Sequence, residues 1–336
     1  MTTTILSRLT LLASLTVVSL GAGAQASTQG VMPAFSALYV FGDSLSDSGN
    51  NFTSFFGATG PNPTSATFIP NFPYSPSRTY SNGPTWVTSF ASGLGLSSFA
   101  AASLLGGGNY AYGGATTSPI LPTPAPFPPT LQAQLSTYLG SNTVSPSALY
   151  VIAGGGNDAR AVATLVQGGS DPNVVVPAAA LRYATTTASL VGNLRAAGAT
   201  NIVVWNVPDL GKTPAAGSGV GPAAAGGTQI SSVFNSFLAG ALVGSGATIF
   251  DTFGTIGSIV ANPAAFGFSN VTQACGFIGN GCDASTALFW DGIHPTAFAQ
   301  TVIANQMLAV VAIPEPASIL LLGMGVLALL AWRRRA

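Results

Sequence analysis

Charge is what this sequence has least of. Asp, Glu, Lys and Arg together make up 5% of its 336 residues, against roughly a quarter in an ordinary soluble protein. Between residues 27 and 313, eight aspartates (Asp43, Asp47, Asp158, Asp171, Asp209, Asp251, Asp283, Asp291) face five bases (Arg78, Arg160, Arg182, Arg195, Lys212). No basic patch can be built from that set, which excludes a nucleic-acid partner held by its phosphate backbone. Histidine is rarer still, since His294 is the one imidazole in the chain. With only Cys275 and Cys282 beside it, the usual transition-metal ligand sets cannot be assembled, and no metal or other cofactor is expected. Long apolar runs are missing except at the two ends, although 48% of the residues are hydrophobic. Elsewhere the apolar residues are interspersed with Ser, Thr, Gly, Asn and Pro, so a polytopic membrane protein is excluded. Intrinsic disorder is excluded as well, because it requires low hydrophobicity with high charge. There is no internal repeat and no Gly-x-Ser-x-Gly elbow, so this is not an ordinary α/β-hydrolase. Gly211-Lys212-Thr213 is not a phosphate loop, because Asn206 stands where that loop needs glycine.

The two ends read as addresses. Arg8, the apolar stretch Leu9 to Leu20 and the small-x-small pattern Ala24-Gln25-Ala26 predict a secretory signal over residues 1–26. A buried N-terminal helix is the other reading. Export places the two cysteines in an oxidising compartment. They lie seven apart in a Gly-rich stretch, and a local Cys275–Cys282 disulfide is expected. At the other end Pro314-Glu315-Pro316 precedes an apolar run to Trp332 and then Arg333, Arg334 and Arg335. The 16 residues from Ala317 to Trp332 make a helix of about 24 Å, short of a ~30 Å hydrocarbon core. The arginines should stay cytoplasmic. This tail, residues 314–336, resembles the PEP-CTERM sorting signal of exported Gram-negative bacterial proteins. The resemblance implies transient anchoring at the inner membrane, then cleavage near the motif by an exosortase-type processing enzyme. Release to the cell envelope, surface or extracellular matrix follows. A permanent single-span anchor is the alternative.

Residues 27–313 read as one α/β domain. Short apolar segments predict five strands: Ala37–Phe41, Asn109–Tyr112, Ala148–Ile152, Asn201–Trp205 and Ala247–Phe250. Helices are predicted over Val174–Ala197, Thr228–Leu242 and Thr296–Val311. Strands alternating with helices predict a doubly wound, mostly parallel five-stranded sheet between two helical layers. Ser118–Pro129, with six prolines, reads as a loop, and residues 52–78 and 213–227 as long irregular insertions.

Four motifs follow predicted strands or loops and point to one chemistry. Gly42-Asp43-Ser44 closes the first strand. A helix beginning there would expose Ser44 and aim backbone N–H groups at an oxyanion. Asp291-Gly-Ile-His294-Pro295 places an acid three residues before the only histidine, with Pro295 at the next helix start. On a tight loop the Asp291 carboxylate can accept a hydrogen bond from the imidazole and leave the other ring nitrogen basic. Gly113-Gly114 can offer an unobstructed backbone N–H. Asn157, after Gly154-Gly155-Gly156, offers a side-chain amide donor. Glycines at strand ends also serve as turns, and each of these two motifs is weak alone.

In this order the motifs resemble the GDSL family of the SGNH hydrolase superfamily. Phe41–Asn50, Asn109–Thr116, Ala153–Asp158 and Phe289–Thr296 match its blocks. Tyr80–Trp86 and Val204–Pro214 are similar to segments of the lipase/acylhydrolase branch. The resemblance implies a three-layer, flavodoxin-like fold and a carboxylic ester hydrolase working through an acyl-enzyme. It makes Ser44 the nucleophile, His294 the base and Asp291 its orienting acid. The Ser44 N–H, Gly114 and Asn157 form the oxyanion hole, and the substrate is a small-molecule or polymer-borne ester. Gly156 is an insertion relative to the usual Gly-Gly-Asn-Asp. The rival reading is a non-catalytic surface or matrix protein that carries the sorting tail.

Overall fold

The computed structural model describes residues 34–312 except 66, 120–126, 278 and 280. The predicted signal and sorting tail lie outside the described residues, whereas every predicted site residue lies within them. Strand β1 (Leu38–Gly42) is followed by helices α1 (Asn50–Ser54), α2 (Trp86–Gly93) and α3 (Leu131–Ser141). Then come β2 (Leu149–Ala153), α4 (Gly156–Gln167), α5 (Pro172–Ala196) and β3 (Asn201–Trp205). The chain continues through α6 (Gly221–Ala241), β4 (Thr248–Phe250) and α7 (Thr252–Ala261). Strands β5 (Asn270–Ala274) and β6 (Ala287–Phe289) and helix α8 (Ala297–Val311) complete it.

Strands β1 to β4 form one parallel sheet in sequence order, with Val40 opposite Val151 and Val151 opposite Val203. The strands are apolar at nearly every position because both faces are covered. Phe41, Ile152, Ile202 and Val204 pack into a core shared with α3, α4, α5 and α6. Val40, Val151, Val203 and Trp205 pack on the opposite side with α2, α7 and α8. Each such fully buried large apolar side chain contributes roughly 1.5–3 kcal/mol. The 25-residue α5 is long and apolar enough to span a membrane, but it buries Ala180, Tyr183, Leu190 and Leu194 in the first core. It is a core helix of the domain.

The doubly wound α/β architecture is the expected one, with one correction to the strand count. Asn109–Tyr112 is not a full strand but a single parallel bridge, Asn109 to Val40, on the free edge of β1. Three hydrogen bonds hold it there: Val40 N to Gly108 O, Tyr110 N to Val40 O and Tyr112 N to Gly42 O. Glycines 106–108 and 113–114 bracket the segment and cut it short. With it, the spatial order is second, first, third, fourth and fifth along the chain, and the order reverses between β1 and β2. Ligand crevices of open α/β sheets form at the carboxyl ends of strands at such a point. The insertion at 213–227 is shorter than expected, since α6 begins at Gly221. Helices α2, α3, α4 and α7 are additional to the three that the sequence pattern predicts.

Candidate active site

Strand β1 ends in Gly42. A Cβ there would stand 2.6 Å from the Ala153 carbonyl oxygen, so β1 and β2 approach this closely only because residue 42 lacks a side chain. Asp43 to Asp47 form a single turn in which the Ser46 and Asp47 amides both donate to Asp43 O. The helix expected to begin at Ser44 begins instead at Asn50. The cause is Asp47, whose carboxylate accepts from the amides of Gly49, Asn50 and Asn51 and gathers the chain into its own turn. The same carboxylate accepts from Gly113 N at 2.9 Å, tying the Ser44 turn to the glycine loop beside it. Asn50 and Asn51 strengthen that tie, donating to the carbonyls of Asn109, Ala111 and Gly113.

The imidazole that meets Ser44 comes from 250 residues further along the chain. After β6 the backbone makes a tight loop closed by Trp290 N donating to His294 O at 2.8 Å. Inside it Asp291 Oδ1 accepts from the amides of Ile293 and His294, each at 2.8 Å. Asp291 Oδ2 lies 2.7 Å from His294 Nδ1, and His294 Nε2 lies 2.8 Å from Ser44 Oγ. With Nδ1–H donating to the carboxylate, Nε2 is the acceptor for the Ser44 hydroxyl. Asp291 and His294 are 0% and 2% exposed, so water competes little for these bonds. Pro295 does not open α8, because Thr296 is the cap, its Oγ1 accepting from Ala299 N.

Gly114 sits at φ +82°, a conformation that favours glycine, and Gly155 at φ +107° opens α4 so that Asn157 falls in its first turn. Asn157 Nδ2 donates to Ala115 O at 2.9 Å while its Oδ1 accepts from Arg160 at 3.3 Å. The amide is thereby fixed, and its second N–H has no acceptor among the described residues. The backbone N–H groups of Ser44 and Gly114 find no acceptor among the described residues. Ser44, Gly114, Asn157 and His294 line one cleft together. A second, mainly apolar cleft meets Ser44 and His294 from the other side, walled by Leu45, Trp205, Leu210, Ile256, Phe289 and Ile303. Cys275 and Cys282 are joined in a disulfide, and Cys275 N donates to Phe289 O, two residues before Asp291.

Three further side chains, to which the sequence assigns no site role, stand beside these groups. Tyr74, fully buried, donates from its hydroxyl to Asp291 Oδ2 at 2.9 Å, and burial together with that carboxylate holds the phenol far above its ordinary pKa. Tyr80 lies 5.5 Å, ring centre to ring centre, from His294 and accepts from Asn51. Arg160 lines both clefts. Burial pushes Asp43, Asp47 and Asp158 up to about 6. Among the described residues no group of His, Cys, Asp or Glu is arranged to hold a metal ion.

The chain belongs to the GDSL-like Lipase/Acylhydrolase family, which it matches over residues 38–307. Residues 312–335 match the PEP-CTERM protein-sorting motif. Esterase EstA of Pseudomonas aeruginosa is 30% identical over 322 residues, a match covering 83% of this chain and 47% of the relative. Esterase EstA of Pseudomonas putida gives the same figures, so the chain spans about half the length of these curated relatives. A GDSL esterase/lipase of Arabidopsis thaliana is 26% identical, over 81% of this chain and 88% of its own. Among solved structures, phospholipase A1 from Streptomyces albidoflavus aligns with TM-score 0.43 at 16% identity, over 82% of this chain and 100% of that one.

Proposed function

We propose that the protein is an exported serine ester hydrolase that cleaves carboxylic esters through an acyl-enzyme. The observation that carries the reading is the continuous relay from Ser44 Oγ to His294 Nε2 at 2.8 Å and from His294 Nδ1 to Asp291 Oδ2 at 2.7 Å. In the first half-reaction Ser44 Oγ bonds to the ester carbonyl carbon as His294 Nε2 takes the hydroxyl proton. Asp291 accepts from Nδ1–H throughout and stabilises the imidazolium. The carbonyl oxygen becomes an oxyanion, which accepts from the N–H groups of Ser44 and Gly114 and the second N–H of the Asn157 amide. Collapse breaks the bond to the alcohol, which leaves with the proton from His294. Water, deprotonated by the same nitrogen, then releases the carboxylic acid and restores Ser44. The apolar cleft beside Leu45 and Trp205 suits the acyl chain. No cofactor takes part in these steps.

The family membership and the esterases among the relatives support ester hydrolysis. The sorting motif supports export, transient holding at the inner membrane, and processing near Pro314 by an exosortase-type enzyme. In this reading residues 1–26 are the signal, 27–313 the catalytic domain and 314–336 the removable tail. Turnover of p-nitrophenyl esters of graded chain length tests the reading, wild type against Ser44→Ala. Hydrolysis that vanishes in the variant is expected; equal hydrolysis by both proteins would refute it.

A further inference from the structure

Arg160 is one of the five bases between residues 27 and 313, and it is turned inward beside the reacting groups. It stands on α4 one turn beyond Asn157. Three clefts share it: the apolar one, the one holding Gly114 and Asn157, and one running outward past Thr164 and Gln167. No carboxylate among the described residues comes within ion-pair distance, and Asp43 and Asp291 attract it only from further away. Its one hydrogen bond among the described residues is the long 3.3 Å contact to Asn157 Oδ1. A guanidinium has five N–H donors in a planar fork shaped for carboxylate and phosphate oxygens. A half-buried cation with most of its donors unspent lacks a counter-charge that the fold could have supplied, and withholding a charge from water without one is costly.

We infer that Arg160 forms an anion subsite, binding a carboxylate or phosphate carried on the alcohol part of the ester that Ser44 attacks. The alcohol side is indicated by the walls. Leu45, Trp205 and Phe289 make the first cleft suited to hydrocarbon, whereas the outward cleft beyond Arg160 adds the exposed polar side chains Thr164 and Gln167 to walls that include Val166, Leu210 and Ile230. The inference rests on the ester-hydrolase reading and narrows it to a substrate class: esters whose leaving alcohol bears an oxyanion close to the scissile bond.

Matched substrates test it with the full chain. One pair is phenyl butyrate and 3-carboxyphenyl butyrate; the other is 1-butyrylglycerol and its 3-phosphate. In at least one pair the charged ester should show kcat/KM about 10–100-fold higher, mostly through KM, as for a charge-assisted hydrogen bond. The responding pair tells carboxylate from phosphate. Arg160→Gln should abolish the preference and Arg160→Lys should keep part of it. An arginine that merely held Asn157 would lower kcat on charged and neutral esters alike; that result, or a wild type without preference in either pair, overturns the subsite. Calorimetric binding to the Ser44→Ala protein separates this from failure of the hydrolase reading. There the preferred charged ester should bind about tenfold or more tightly than its neutral partner, and the difference should vanish in Ser44→Ala/Arg160→Gln. Loss of turnover would then concern Ser44, and loss of the binding difference would concern Arg160.

Discussion

Ser44 and Ser46 lie two residues apart on one turn and do different work. Ser44 Oγ faces His294, whereas Ser46 is fully buried and its Oγ accepts from Trp86 Nε1 at 3.0 Å. Ser44→Ala should abolish ester turnover and leave thermal stability almost unchanged. Ser46→Ala should keep kcat within a few-fold but cost about 1–3 kcal/mol, because the buried indole N–H loses its acceptor. Assay and thermal melts on both variants check this; equal loss of activity would remove Ser44 from its role. Asn157→Ala should lower kcat by roughly 10²–10³, the effect of one lost oxyanion donor. Tyr74→Phe should lower kcat several-fold at unchanged KM, since Asp291 loses one of its four hydrogen-bond donors and nothing in the binding clefts changes. A rise in KM alone would show that Tyr74 shapes the cleft instead. The residues brought together here differed in how visible they were. The lone histidine three residues from an acid, and a serine at a strand's end, can be picked out of a sequence this poor in polar chemistry. Tyr74 carries no local mark at all, because its partner is 217 residues away and the chain has seven other tyrosines.

At the scale of the element, strands were easier to read than helices, and the reason is the composition. A strand covered on both faces shows itself as a short apolar run, as in Leu149–Ala153. A helix is recognised by contrast between an apolar face and a charged one. Helices α2 and α3 contain no charged residue, and their solvent faces are Ser, Thr, Gln and Gly, so the contrast is faint. The few charges inside the fold instead lock turns together. Asp47 binds the Ser44 turn to Gly113, and Asp158 binds α4 to Thr117 through its backbone N–H and hydroxyl. Burial raises both carboxyls, and Asp43, from 3.8 to about 6. Between about pH 4 and pH 6 the folded chain therefore keeps protons that the unfolded chain releases. Stability contributed by these groups is full below pH 4 and falls as pH rises to 6. The thermal midpoint should be higher at pH 4.5 than at pH 7, and Asp158→Asn should flatten that slope. A midpoint rising through this window would contradict it.

For the molecule as a whole, the family match ends at residue 307 and the sorting-motif match begins at 312. None of the residues proposed for catalysis lies beyond His294. Removing residues 314–336 should leave kcat and the thermal midpoint nearly unchanged while altering where the protein resides. In a host with the processing enzyme, intact-mass measurement of the mature protein should find the C-terminal arginines gone; a mature form retaining Arg335 would establish a permanent anchor instead. Ser44 and His294, the proposed nucleophile and base, are 250 residues apart in sequence. Synthesis therefore delivers the proposed nucleophile well before the proposed base. Until the loop of Asp291 and His294 has docked against the first strand's turn, Ser44 is an ordinary alcohol with no one to take its proton. In the proposed mechanism a copy caught half-made is inert toward esters, and the order of the chain does the work of an inhibitor.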